Sequence, residues 1–300
     1  MASKSKRTFI ERRQNWGLVF VLPTVIFFVI FFLYPIITGF YYSLTNFTLL
    51  RPPVWVGIQN YIDLLKDRQF LRSIGVTITF VVGTTVPVWV LSLAAAEVFF
   101  QKFRFREALK VLFFTPVLPS LIVVAIVWRI LMEPGGILTN ILFPITRQGE
   151  INWLNDTFLS PLSMIIINNW TTIPFYMLIW LAGLTGIPTE LRDAAKVDGA
   201  NAFQSFFNVD LPLLRPTAVF VATISTINAF QGFTLQYAIS PGRGGPVDSN
   251  LTMGLLIWKY GFQYYRMGTA SAVSVILFII ILIVTAVQLL ASRGEQFSLT

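Results

Sequence analysis

The sequence reads as an all-α, polytopic membrane protein, and three features say so. Charged residues make up only 12% of the 300 positions and apolar residues 55%, whereas a soluble domain carries about 25% charged residues to cover its surface. Mean hydropathy is +0.70. The apolar residues are also gathered into six long runs, without the strand-length alternation of an outer-membrane barrel. A soluble enzyme and a disordered or fibrous chain are excluded by the same figures.

The runs are Trp16–Leu44, Ser73–Phe99, Ala108–Met132, Leu162–Leu184, Leu213–Leu235 and Gly268–Leu290. Each reaches the ~20 residues that cross a ~30 Å hydrocarbon core. Each is expected to be helical, because backbone polar groups in lipid must be satisfied within the segment. The first run is too long for a signal-peptide h-region and no small-x-small cleavage site follows it, so it is expected to remain as a span. The chain thus divides into a tail (1–15), a transmembrane domain (16–292) and a second tail (293–300).

Lys and Arg near the span ends set the orientation. Thirteen of the 22 fall on one side: Lys4, Lys6, Arg7, Arg12 and Arg13 in the first tail, Lys102, Arg104, Arg106 and Lys110 after span two, Arg192, Lys196 and Arg215 after span four, and Arg293. Both termini are therefore expected in the cytoplasm. Three loops then lie outside. Asn46–Arg72 carries Trp55 and an amphipathic piece, Asn60–Leu71. Glu133–Pro161 is rich in Gly, Pro and Asn, and Gln236–Met267 opens on the turn-forming stretch Ser240–Pro246. Pro35, Pro87, Pro116, Pro119 and Pro174 read as hinges or static kinks. Arg129 and Glu133 are one turn apart and positioned to pair. Glu97 and Asp210 fall near span ends, where burial is not required.

The residue types that are missing remove chemistry. Without Cys there is no disulfide, thiolate nucleophile or thiolate metal site. Without His the commonest general base and zinc ligand are absent. No P-loop pattern occurs. No catalytic or metal-ligating set is expected, and the net charge of +8 reads as orientation signal rather than as nucleic-acid binding.

The segment after span four is more than a connection. Pro188, Thr189 and Glu190 make a helix start, with acid at the positive end of the dipole. Leu191–Val197 is a helix-forming stretch, Gly199 can supply a left-handed C-terminal turn, and a second short helix is expected over Asn201–Asn208. Ala194 and Ala195 leave a smooth surface for another protein. By composition alone the same segment reads equally as an interfacial helix capping the bundle.

The spacing resembles the EAA loop of binding-protein-dependent ABC importer permeases, E-A-A-x3-G-x9-I-x-L-P. Asp193, Ala194, Ala195, Gly199, Val209, Leu211 and Pro212 stand at its positions, with Asp193 replacing Glu and Val209 replacing Ile. Asp198-Gly-Ala200, Trp55–Tyr61, Gly244-Gly-Pro246 and Gly268–Ser274 are similar to the carbohydrate-importer branch, and the short C-terminal tail resembles the first permease of a maltose-permease-type pair. The insertion around Pro241–Arg243 departs from the simpler T-G-G-G-P form. The resemblance implies a cytoplasmic coupling helix within 187–212, docked on an ATPase through Glu190, Asp193, Ala194, Ala195, Asp198, Gly199, Ala200, Phe203 and Pro212. It implies as partners a second homologous permease, two copies of an ATPase that binds ATP and Mg, and an external solute-binding protein. This chain itself would bind no cofactor. The setting would be a bacterial or archaeal plasma membrane.

Polar residues inside spans mark a pathway or hold helices together. Span four carries Asn168, Asn169, Thr171 and Thr172 before Pro174, and span five carries Ser225, Asn228, Gln231 and Gly232. Asn and Gln offer donors and acceptors suited to neutral hydroxyl-rich ligands. The resemblance places Asn168, Thr171, Thr172, Ser225 and Gly232 at sugar-site positions, with Asn228 where the relatives have an aromatic and Gln231 one residue from the site register. The expected function is therefore half of the translocation pathway for a carbohydrate. Import of glycerol phosphate or another polar solute is the alternative, although no basic residue lies near a span centre. An ion-coupled secondary transporter would need a mid-membrane acid or Lys, and none is found.

Overall fold

The computed structural model describes residues 20–146, 151–240 and 242–293. The basic cluster Lys4–Arg13, Trp16, Arg147, Pro241 and the tail beyond 293 lie outside the described residues. The regular secondary structure among the described residues is helical, apart from isolated bridges such as Thr45 with Trp55.

Helix α1, Phe20–Ser43, is apolar along its length and leaves its side chains exposed. It opens into a π turn at Val29–Leu33, next to Pro35, whose ring nitrogen has no hydrogen to donate. It leans on the last helix, where Phe40 meets Phe278 edge-on with ring centroids 6.1 Å apart. The expected amphipathic piece splits in two. Gln59–Leu64 forms α2, and the Asp67 carboxylate then accepts from the Gln69 N–H at 2.7 Å and starts the 33-residue α3, Arg68–Phe100. Pro87 sits within α3 without ending it.

The third span is not one straight helix. Helix α4, Arg106–Phe114, and its extension to Val117 meet α5, Leu121–Leu131, at 91°. Pro116 and Pro119 remove two donors at the break, and the Ser120 hydroxyl caps α5. The expected second outer loop contains α6, Ile137–Thr146. Next comes α7, Leu159–Thr185, with Pro174 inside it. It packs along α3 so closely that a Cβ on Gly83 would lie 2.5 Å from Ile165. After α7 come α8, Thr189–Val197, and α9, Ala202–Ser205.

The fifth span is broken too. Helix α10, Arg215–Phe230, stops at Gln231, and α11, Thr234–Ile239, resumes after it. The freed Gly232 carbonyl accepts from the Thr252 hydroxyl at 2.7 Å. That Thr also caps α12, Met253–Trp258, which extends through a π turn at Lys259–Gln263. The last outer segment is therefore no simple loop. Leu251, Met253, Leu255 and Leu256 are fully buried against α3 and α13, Met267–Arg293. Arg129 and Glu133 form no ion pair among the described residues; both line a cavity of about 840 Å³ with Arg243 and Asn152.

Candidate functional site

Helix α8 stands away from the bundle. Glu190, Asp193, Ala194 and Asp198 are exposed, Ala195 and Ala200 half-buried, and Val197 is 88% exposed. Its start is bare: Pro188 takes the cap position and makes no side-chain bond. Its end is closed. The Ala200 N–H donates to the Ala195 carbonyl at 2.9 Å and the Gly199 N–H to Lys196 at 3.0 Å, the two bonds of a Schellman turn. Gly199 holds φ +83°, a left-handed conformation that costs other residues energy.

The second loop helix runs further than the expected Asn201–Asn208. Asn201 and Gln204 cap α9 reciprocally at 2.9 Å, and the helix continues through a π turn at Phe206–Asp210 to Leu213. Phe203 is 72% exposed and stacks beside Phe207, centroids 4.5 Å apart. Pro212 is half-buried. Solvent thus meets an apolar ridge of Leu191, Val197, Phe203 and Phe207, flanked by the exposed Asp193–Lys196 pair at 3.0 Å.

One side chain fixes this ridge to the bundle, and it was absent from the sequence-derived site. Arg192 Nε donates to Asp210 Oδ1 at 2.6 Å and Nη2 donates to the Leu184 carbonyl at 3.1 Å. The guanidinium lies over the Phe100 ring, 4.5 Å from its centroid. Both partners of the pair are about nine-tenths buried, so Asp210 is buried at a span end where burial was not required. A buried ion pair holds only with good geometry and further hydrogen bonds, and the Leu184 carbonyl supplies one here. The sequence signal was the lone acid directly before Leu211-Pro212.

The polar span residues divide by what they already bond. Thr171 and Thr172 both donate to the Asn168 carbonyl at 2.8 Å, spending their hydroxyls on their own helix. Ser225 accepts from Trp89 Nε1 at 2.8 Å. Gly232 is a close-approach position, where a Cβ would lie 2.8 Å from Phe80. Asn169 is buried and donates to the Gly83 carbonyl at 3.1 Å, pinning α7 to α3. Asn168 is half-buried, and Asn228 and Gln231 are exposed. Asn228 donates to the Tyr176 hydroxyl at 3.1 Å, bringing α10 to the α7 face that carries Thr172 one turn earlier and Asn168 two turns earlier. Tyr176 was not singled out in the sequence, because it lies inside an apolar run.

Broken and continuous apolar helices around a polar seam, with a braced ridge at one end, define a membrane permease. The chain belongs to the family of binding-protein-dependent transport system inner membrane components, whose profile matches residues 89–294. It is similar to the probable ABC transporter permease protein YesP of Bacillus subtilis (strain 168), 31% identical over 95% of this chain and 93% of that protein. The arabinooligosaccharides transport system permease protein AraP of the same strain is 32% identical over 92% and 89%. The trehalose/maltose transport system permease protein MalF of Thermococcus litoralis is 29% identical over 95% and 96%. Among solved structures, a chain of the bacterial alginate ABC transporter in complex with alginate pentasaccharide-bound periplasmic protein shares the fold, with a TM-score of 0.83, 21% identity and coverage of 96% and 98%. The chain is thus an inner-membrane transport component of the ABC importer type.

Proposed function

We propose that this chain forms half of the pathway of an ATP-driven carbohydrate importer and moves a neutral mono- or oligosaccharide inward. The ridge built by 189–213 carries the reading. An exposed apolar edge on a helix pair held by a Schellman turn and a buried ion pair is a rigid lever, with the surface a partner protein requires. The names of its relatives, which transport trehalose, maltose and arabinooligosaccharides, support a sugar as cargo. Glu190, Asp193, Ala194, Ala195, Asp198, Gly199, Ala200 and Phe203 would contact a separate ATPase, two copies of which bind ATP and Mg. Pro212 would set the exit of the lever. A second, homologous permease completes the pathway, and an external binding protein delivers the cargo to the loops opposite the ridge. Closure of the ATPases on ATP swings the lever and opens the pathway outward, and hydrolysis resets it inward. Asn168, Asn228 and Gln231 would meet sugar hydroxyls. Both termini lie on the ridge side, in the cytoplasm.

Purification of the tagged complex from its native membrane in mild detergent tests this. A second six-span permease and a P-loop ATPase are expected to co-purify, and Phe203→Asp is expected to lose the ATPase while still inserting. A chain recovered alone in several detergents would overturn the proposal. Screening the associated binding protein against sugars then tests the cargo.

A further inference from the structure

The buried cluster around Arg192 holds one cation and two carboxylates. Asp210 has the guanidinium at 2.6 Å. Glu97, on α3 one turn before the Phe100 under the guanidinium, lines the same cavity as Phe206 and Phe207 of the second loop helix, within the field of Arg192 and Asp210. Its Oε1 is nevertheless buried with no hydrogen-bond partner. An unpaired buried carboxylate oxygen is costly, and a guanidinium has five donors in a fork, enough to serve a second carboxylate. A largely apolar cavity of about 520 Å³, lined by Trp89, Glu97, Trp180, Phe206 and Phe207, lies alongside and gives the second loop helix room to shift.

We propose that Glu97 and Asp210 are alternative partners of Arg192, and that exchanging one for the other passes movement of 189–213 to α3. In the present conformation Arg192 bonds the loop's own acid and the C-terminal turn of α7. When the ridge is displaced, Arg192 turns to Glu97 and ties the coupling helix to α3, which lines the bundle from end to end. Glu97 and Asp210 are positioning residues: neither touches cargo or nucleotide. Two discrete pairings give the bistable element that coupling between distant sites requires.

The inference rests on reading 189–213 as the ATPase-docking segment. The test uses the whole importer, both permeases and the ATPases, in proteoliposomes with its binding protein. Glu97→Gln holds Arg192 on Asp210, and Asp210→Asn releases it to Glu97. Exchange therefore expects opposite effects on ATP hydrolysis measured without binding protein: Glu97→Gln lowers it and Asp210→Asn raises it. Glu97→Gln is also expected to cut cargo moved per ATP about tenfold at unchanged Tm, and Glu97→Asp to restore part of that loss. Wild-type hydrolysis and transport in Glu97→Gln would overturn the exchange, as would a shift of both variants in the same direction. Should Asp210→Asn fail to assemble, the Glu97→Gln and Glu97→Asp pair decides alone. Absence of any ATPase from the wild-type preparation would instead overturn the docking reading and the exchange with it.

Discussion

Replacing Gly199 with Ala isolates the backbone of the Schellman turn after α8 from everything around it. Among the described residues nothing lies within 4 Å of a Cβ built at this position, so the substitution makes no clash with them. The cost is conformational: an L-residue at φ +83° loses about 1–2 kcal/mol against glycine. That is a five- to thirtyfold change in the equilibrium between formed and opened turn. The turn's two bonds satisfy carbonyls at the end of a nine-residue helix, which is too short to hold by propensity. Gly199→Ala is thus expected to raise deuterium uptake over 189–205 and to lower coupled transport by a similar factor, while insertion and Tm of the bundle stay unchanged. Gly199→Asn should recover most of the loss, because Asn tolerates the left-handed region. Equal damage from Ala and Asn with unchanged uptake would refute the argument, since the defect would then come from bulk on a docking surface.

Gly268→Ala should be far more damaging, because the new Cβ would overlap the Thr45 carbonyl oxygen, where the Gly268 N–H also donates to the Phe47 carbonyl at 2.9 Å; a loss of folded yield by detergent size-exclusion is expected, and a normal yield would show that the 45–47 turn moves freely. Thr252→Val removes both the α12 cap and the donor to Gly232, a loss of about 1–3 kcal/mol that should lower Tm by a few degrees with little effect on α8 uptake. Asp156 accepts from the Leu159 and Phe158 N–H groups at 2.8 Å, and these bonds hold its carboxyl below the usual range. A lowered folded pKa contributes stability above the unfolded value and loses it as pH falls through the folded one. Protection of the first α7 amides should therefore drop on acidification below about pH 4, and Asp156→Asn should flatten that dependence.

Five of the six apolar runs stand as helices long enough to cross a membrane, and they were legible because length is a one-dimensional property. Breaks within the runs were less so. Pro116 and Pro119 turn the third span by 91°, whereas Pro87 and Pro174 leave their helices continuous. At Pro87 the freed Gly83 carbonyl accepts from Asn169 Nδ2 on α7, a partner that no local pattern records. Helix α12 was missed for the opposite reason. Its apolar run is shorter than a span and sits among turn residues, yet packing against α3 and α13 buries Met253, Leu255 and Leu256.

The coupling segment was legible in outline because its turn is local: Gly199, Lys196 and Ala195 bond within six residues. What braces it was not local. Arg192 and Asp210 are separated by 18 positions, and Phe100 and Leu184 reach the same guanidinium from two other helices. The polar span residues make the same point. Asn168 and Asn169 are adjacent and chemically identical, but one helix step turns Asn169 onto Gly83 and leaves Asn168 half-buried with its side chain uncommitted. Composition counts both as pathway candidates; helix phase separates the one that packs from the one available to a passing solute. By that criterion Ser225, Thr171 and Thr172 belong with the packing residues. Under the proposed function a sugar would meet Asn168, Gln231 and the Oδ1 of Asn228, whose amide nitrogen already donates to Tyr176.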